Sequence, residues 1–210
     1  MSYPVPPNEA ERLRALQTYK ILDTNPEERF DQLTRLAALI CGVPISLISL
    51  IDSDRQWFKS RFGLDVQETP RAQAFCTHAI MQPDLFVVPD ATKDERFADN
   101  PLVTGDLNIR FYAGEPLAAR DGHVLGTLCV IDHVPHTLTE AQMEALKIVG
   151  KLVIANFELR RDLQELKDGL AAPNAAKRAL LESAGLDEII SRLQGVASDL
   201  QAVSRSAPPA

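Results

Sequence analysis

Residues 44–62 read PISLISLIDSDRQWFKSRF. The first nine, Pro44 to Asp52, are short, apolar and rich in isoleucine and serine, which is the composition of a strand. Ser53-Asp54 supplies a turn. Arg55 to Phe62 returns as a second strand, and Gly63 closes it. Loop length and turn chemistry make the pair a hairpin. A second hairpin follows downstream. Ile109 to Ala119 reads as a strand with a bend at Gly114, Asp121-Gly122 is a tight-turn pair, and Val124 to Asp132 is the returning strand. A short apolar strand at Leu85–Val88 brings the count to five or six. Neighbouring hairpins imply a mostly antiparallel sheet in an α+β domain.

Upstream of the first hairpin the pattern is helical. Residues 1–7 carry Pro4, Pro6 and Pro7 and read as a loose tail. Asn8 is placed to cap a helix, with Glu11 in capping-box position and Leu13, Leu16 and Tyr19 as its stripe. Asp23-Thr24-Asn25-Pro26 stops that helix and starts another, with the proline early in its first turn. Phe30, Leu33, Leu36, Ala37 and Ile40 then recur at helical spacing up to Gly42. Between the hairpins, Ala72–Met81 reads as a short helix and Asp94–Val103 as a loop with a helical turn.

Downstream, one long helix is expected from Thr139 to about Lys167, with Thr137 or Thr139 as its cap. Ile148, Leu152, Ala155, Leu159, Leu163 and Leu166 fall three or four residues apart, the spacing of a coiled-coil seam. A helix packed on its own sheet also accounts for them. The expectation is both, the first half on the sheet and the second projecting. Residues 168–174 read as a linker, 175–204 as an amphipathic helical extension from Leu180 to Val203, and 205–210 as a disordered tail.

The chain has 210 residues, enough for one core without disulfides or metals, and 45% of them are hydrophobic. The net charge is −7 with no basic run, which argues against nucleic acid as a partner. Cys41, Cys76 and Cys129 are odd in number, far apart and in apolar settings, the usage of reduced cytosolic thiols. The start lacks a signal-peptide pattern, and no apolar run reaches the length of a membrane span. A cytoplasmic protein with no membrane insertion is expected.

Several segments occur in an order and spacing that resembles the GAF domain of bacterial sensors. They are NEAERLRALQTYKILDTNPEERFDQLTRLAALICGVPISLISLID, RQWFKSRFGL, ETPRAQAFCTHAI, VVPDATKDERFADNPLV, RFYAGEPL and GHVLGTLCVIDHVPHTLTEAQMEAL. The likeness covers about residues 8–166 and is to the modules found upstream of histidine kinases and diguanylate cyclases in signal transduction and two-component systems. It implies a six-stranded antiparallel sheet of the PAS-related GAF type, helices on one face, a ligand cavity under the loops on the other, and a homodimer formed through terminal helices. It does not imply a particular ligand, and fold alone does not fix function.

The candidate ligand-binding residues divide by chemistry. Phe75, Cys76 and His78 sit in AFCTHAI. Bilin-binding relatives carry the attachment cysteine directly before histidine; here Thr77 intervenes, which argues against a bilin, and haem is also not expected. Two such side chains fall short of a zinc set, so no metal is expected. Asp90, Asp94, Arg96 and Asn100 in PDATKDERFADN would either line the cavity mouth or cap their own loop, with Arg96 the exception to a purely local role. Arg110 and Tyr112 alternate with Phe111, so period two places them on one face, where the Tyr112 ring suits a flat ligand. Trp57 is either core or a face contact.

The functional expectation is a non-enzymatic sensory module that binds a small molecule and relays the signal through terminal helices to a signalling partner. The alternative is a ligand-free dimerisation and protein-interaction module. A remote alternative is a cysteine-based methionine sulfoxide reductase, which needs Cys76 and Cys129 to approach each other.

Overall fold

A computed structural model describes residues 3–171. The expected extension at 175–204 and tail at 205–210 lie outside the described residues. A first compact unit ends at Arg161, and Asp162 begins a second. Six strands, β1 (Ile45–Ile51), β2 (Arg55–Phe62), β3 (Glu68–Pro70), β4 (Phe86–Val88), β5 (Phe111–Ala118) and β6 (Val124–Asp132), form one sheet. Its order is β3-β2-β1-β6-β5-β4, and every neighbouring pair is antiparallel. The helices are α1 (Glu9–Thr18), α2 (Glu28–Cys41), α3 (Cys76–Ala79), α4 (Pro101–Thr104) and α5 (Glu140–Ala171).

The two central strands are buried on both faces. All seven residues of β1 are buried, as are eight of the nine in β6. Period-two alternation therefore divides two cores. Ile48, Leu50, Leu128 and Val130 meet α1, α2 and α5 on the helix side, and the second core contains Leu47, Ile51, Cys129 and Ile131 on the loop side. Trp57 is core, 2% exposed, on the helix side.

A charged cluster pins the helix side together. A bulge in β2 opposite Ile48 and Ser49 inserts Lys59 as an extra residue. Its fully buried ammonium reaches Glu27 at 2.8 Å, Thr24 Oγ1 at 2.8 Å and the Asn25 carbonyl at 2.7 Å. Glu27 also accepts from Arg29 and from Arg160 of α5, the latter at 2.9 Å. Partial burial disfavours the Glu27 carboxylate, but these three cations outweigh it and hold its pKa down to about 2.

Several local expectations change. Asn8 precedes α1 but makes no side-chain cap; Glu9 turns inward to Arg12 and Arg71 instead. Pro26 lies before α2, whose first residue is Glu28, and Glu27 occupies the cap position. Gly42 ends α2 in the left-handed conformation at φ 68°. The helix expected over 72–81 contracts to a 3-10 turn at Arg71–Gln73 and the four residues of α3. Thr139 and Gln142 form a reciprocal capping box at the start of α5. That helix continues through Ala171, into the stretch read as a linker.

In α5, Leu146, Val149, Val153 and Phe157 are the residues buried against the helix-side core. The seam residues lie on another face from the outset. Ile148 is 50% exposed, Leu152 46% and Leu159 50%, and Ala155 is exposed with them. The reading that put the first half of this seam on the sheet is therefore corrected: a second apolar stripe, offset from the first, makes that contact. Within the second unit Leu163 is exposed and Leu166 half-buried.

Glu27 has its pKa lowered in the folded state, so the stability it contributes is present above its unfolded value of 4.5 and is lost as pH falls towards 2. The contribution is on the order of 2 kcal/mol after allowing for solvent screening. Glu27→Gln should remove it at neutral pH and flatten the stability–pH curve in that acid window, as read by urea denaturation across pH.

Candidate functional site

Under the loops, the second core is built on aromatic rings. Phe75 stacks on Phe97 with centroids 3.9 Å apart and planes 9° from parallel. Phe75 also stacks on Tyr112 at 5.2 Å, while Phe86 meets Phe97 and Tyr112 at about 6 Å in tilted and edge arrangements. A cavity of about 20 Å³ remains, bordered by Gln56, Phe58, Thr69, Phe75, Cys76, Tyr112, Cys129 and apolar neighbours. That is space for about one water molecule.

Tyr112 is fully buried, and its hydroxyl donates to Cys76 Sγ at 3.2 Å. Gly114, two residues along the same face of β5, makes room for it. A Cβ at position 114 would lie 2.2 Å from the Tyr112 hydroxyl oxygen. Cys76 Sγ in turn lies 3.9 Å from Cys129 Sγ. Burial opposes ionisation of Cys76, but the Cys129 thiol, the Tyr112 hydroxyl and the neighbouring Thr127 and Ser49 hydroxyls favour the charged form and bring its pKa down to about 7. Cys129 moves the opposite way, pushed up first by its hydrogen bond with Cys76 and then by burial. The two thiols are thus inequivalent, Cys76 shifted towards its charged form and Cys129 away from it. Burial pushes Tyr112 well up, so its hydroxyl remains a donor.

The sequence candidates separate into groups. Phe75, Cys76 and Tyr112 border the cavity together. His78, Arg96 and Asn100 line a different feature, an outer cleft of about 390 Å³ shared with Tyr3, Ala72, Ala74, Glu95 and Asp99. His78 sits edge-on to Phe97, and burial followed by the nearby Arg96 lowers its pKa, which favours a neutral ring. Arg96 forks onto Asp94 and lies 4.8 Å over the Phe86 ring. Asn100 caps α4, accepting from Leu102 N at 2.9 Å and donating to the Gln73 carbonyl at 3.0 Å. Asp90 accepts from Thr92 and pairs with Lys93. Arg110 precedes β5 and donates to the Val103 and Ile109 carbonyls, away from the cavity lining. Period two holds for Tyr112, but the face it shares with Arg110 in a continuous strand ends at Phe111.

Sequence reasoning read Gly114 only as a bend and passed over Phe97, Ser49 and Thr127. The last two are cross-strand partners on β1 and β6, fully buried, with no hydrogen-bond partner. The signal for them was present: Ser49 and Thr127 are polar residues at inward positions of two strands that are buried on both faces. Among the described residues no group of three or more His, Cys, Asp or Glu is placed to hold a metal.

The fold agrees with what the chain is similar to. A family model for the GAF domain matches residues 25–156, and the chain belongs to that family. It is 42% identical over 159 residues to a cyclic di-GMP phosphodiesterase of Pseudomonas aeruginosa, an alignment that covers 75% of this chain and 27% of that protein. The chain thus spans about a quarter of that relative's length. Among solved structures it resembles the GAF domain of an Acinetobacter phosphoenolpyruvate-protein phosphotransferase, with TM-score 0.54 and 19% identity over 73% of this chain and 95% of that one. It also resembles a free methionine-R-sulfoxide reductase of Neisseria meningitidis, with TM-score 0.51 and 19% identity over 78% and 98%. At these identities the two structures share the fold alone. No helix among the described residues is long and apolar enough to cross a membrane.

Phe75→Ala should cost about 3–5 kcal/mol and leave an enlarged apolar cavity beneath the loops. Denaturation measures the first. Restoration of part of that stability by dissolved benzene, with no such gain in the wild type, checks the second.

Proposed function

We propose that this chain is a non-catalytic sensory module that works as a homodimer and passes changes in its loop-side core to a signalling partner through α5. The observation that carries this reading is the two-sided character of that helix. Leu146, Val149, Val153 and Phe157 hold one side to the sheet, while Ile148, Leu152, Ala155 and Leu159 present a second apolar face to solvent. A monomer gains nothing from such a face, whereas a helix pair buries it. The relative from Pseudomonas aeruginosa supports the signalling context, since a region like this one forms part of a cyclic di-GMP phosphodiesterase. The proposal is that this region regulates rather than hydrolyses.

The ligand is the finer point. A cavity of about 20 Å³ favours a very small effector, or a larger one that displaces the Phe75–Phe97 stack on entry. The same small cavity favours the second reading, a ligand-free dimerisation and interaction module. Native mass spectrometry of the protein from its own host distinguishes them. A dimer with a retained small molecule supports the sensor, and a bare dimer supports the interaction module.

Leu152→Glu should convert the dimer to a monomer in light scattering while changing the monomer's unfolding free energy by no more than about 0.5 kcal/mol, because the site is on the surface. A wild type that stays monomeric at every concentration overturns the pairing.

A further inference from the structure

The two sulfurs in the loop-side core are arranged unequally, and the inequality is chemical. Cys76 receives the Tyr112 hydroxyl at 3.2 Å. Two buried hydroxyls, Ser49 and Thr127, have no hydrogen-bond partner and favour its ionised form. Charge on sulfur is thereby met by donors in a site with no cation among its named partners. Cys129 stands 3.9 Å away on β6, its pKa pushed up by the hydrogen bond with Cys76 and by burial. Cys41, the third thiol, has none of this: it is buried in the helix-side core and burial alone pushes it up to about 11. Both Cys76 and Cys129 border the one-water cavity.

We propose that Cys76 and Cys129 form a redox modification site whose co-reactant is a hydroperoxide small enough for that cavity, hydrogen peroxide itself. The Cys76 sulfur attacks one peroxide oxygen. The O–O bond breaks, and the departing oxygen takes up the Cys76 proton and leaves as water, so that Cys76 becomes a sulfenic acid. The Cys129 sulfur then attacks the Cys76 sulfur. Its proton joins the displaced hydroxyl as a second water, and an S–S bond forms. Two thiols have lost two electrons and two protons, and one peroxide has become two waters. An external dithiol reverses the change by exchange.

The step has a mechanical consequence. A disulfide needs its sulfurs about 2.0 Å apart, so the pair must close by about 1.9 Å. Cys76 is the first residue of α3 and follows Phe75 directly. Closing on β6 therefore pulls at the Phe75–Phe97 stack and takes the acceptor away from Tyr112. The site stands on the thiol pair alone and does not depend on α5 pairing.

The experiment is peptide mapping of the whole chain after brief exposure to hydrogen peroxide, removal of excess peroxide with catalase, and alkylation in denaturant without reductant. A Cys76–Cys129 cross-linked peptide is expected, with Cys41 alkylated, and treatment with dithiothreitol should return all three thiols. In Cys129→Ser, dimedone should trap the sulfenic acid at Cys76. The proposal is overturned if Cys76 and Cys129 remain alkylatable under peroxide that oxidises free cysteine, if the bridge involves Cys41, or if dimedone fails to label Cys76 in a folded Cys129→Ser protein. Should that variant not fold, the wild-type map alone decides.

Discussion

The central pair of strands, β1 and β6, has no face open to water, and most of the architecture answers to that constraint. Once both sides of the pair are closed, each face requires its own cover, helices on one side and the segment between the hairpins on the other. Backbone groups are satisfied by the ladder itself. Three side-chain hydroxyls on these strands are not, because water cannot reach them. Ser46, Ser49 and Thr127 all carry hydroxyls with no partner. An unmet buried hydroxyl costs about 1–3 kcal/mol. Two of the three face the thiol pair, so part of that cost is offset when Cys76 carries charge.

The two covers differ in kind. On the helix side the layers are tied by ions: Glu27 joins β2 through Lys59 and α5 through Arg160, and Arg12 reaches the Ile51 carbonyl at 2.7 Å. Burying Lys59 is tolerable only because Glu27, Thr24 and Asn25 all meet its ammonium. On the loop side the cover is aromatic and short in regular structure, with α3 and α4 only four residues each. Stacked rings over a small cavity have fewer anchors than an ion-paired helix layer. The loop side therefore repacks more readily than the helix side, and under the proposed relay it is where an input would act. Transmission still requires two arrangements of α5 that the input distinguishes.

The hairpins were legible because their signals are local. PISLISLID is a strand by composition, and Asp121-Gly122 sets the second turn, with Gly122 at φ 82°. Ends of elements were read less well. Asn8 has the chemistry of a cap, yet Glu9 is drawn inward by Arg12, its i,i+3 neighbour, and by Arg71, which reaches it through a tertiary contact that spacing cannot show. The seam of α5 was correctly seen as periodic but assigned to the wrong neighbour along its first half, since two apolar stripes offset by one or two residues share one helix. In the site, AFCTHAI drew attention to Cys76 and His78 together. The fold sends them to opposite sides of the Phe75–Phe97 stack, Cys76 inward and His78 to the outer cleft. Arg110 failed for a simpler reason: the strand starts one residue after it.

The size of the loop-side cavity constrains any account of this chain as a receptor. A flat ligand of even one aromatic ring exceeds about 20 Å³ several-fold, so it could enter only by taking the place of Phe75 or Tyr112. Displacing Tyr112 strips Cys76 of a donor, and displacing Phe75 moves the residue next to Cys76 in sequence. Oxidation of the thiols and entry of a ligand would therefore act on the same few side chains. Because the Tyr112 hydroxyl fits only where position 114 has no Cβ, the backbone of β5 fixes the resting state from which either event departs. The constraint that begins with two strands closed to water thus ends in a site where chemistry at sulfur and packing of rings cannot be varied independently.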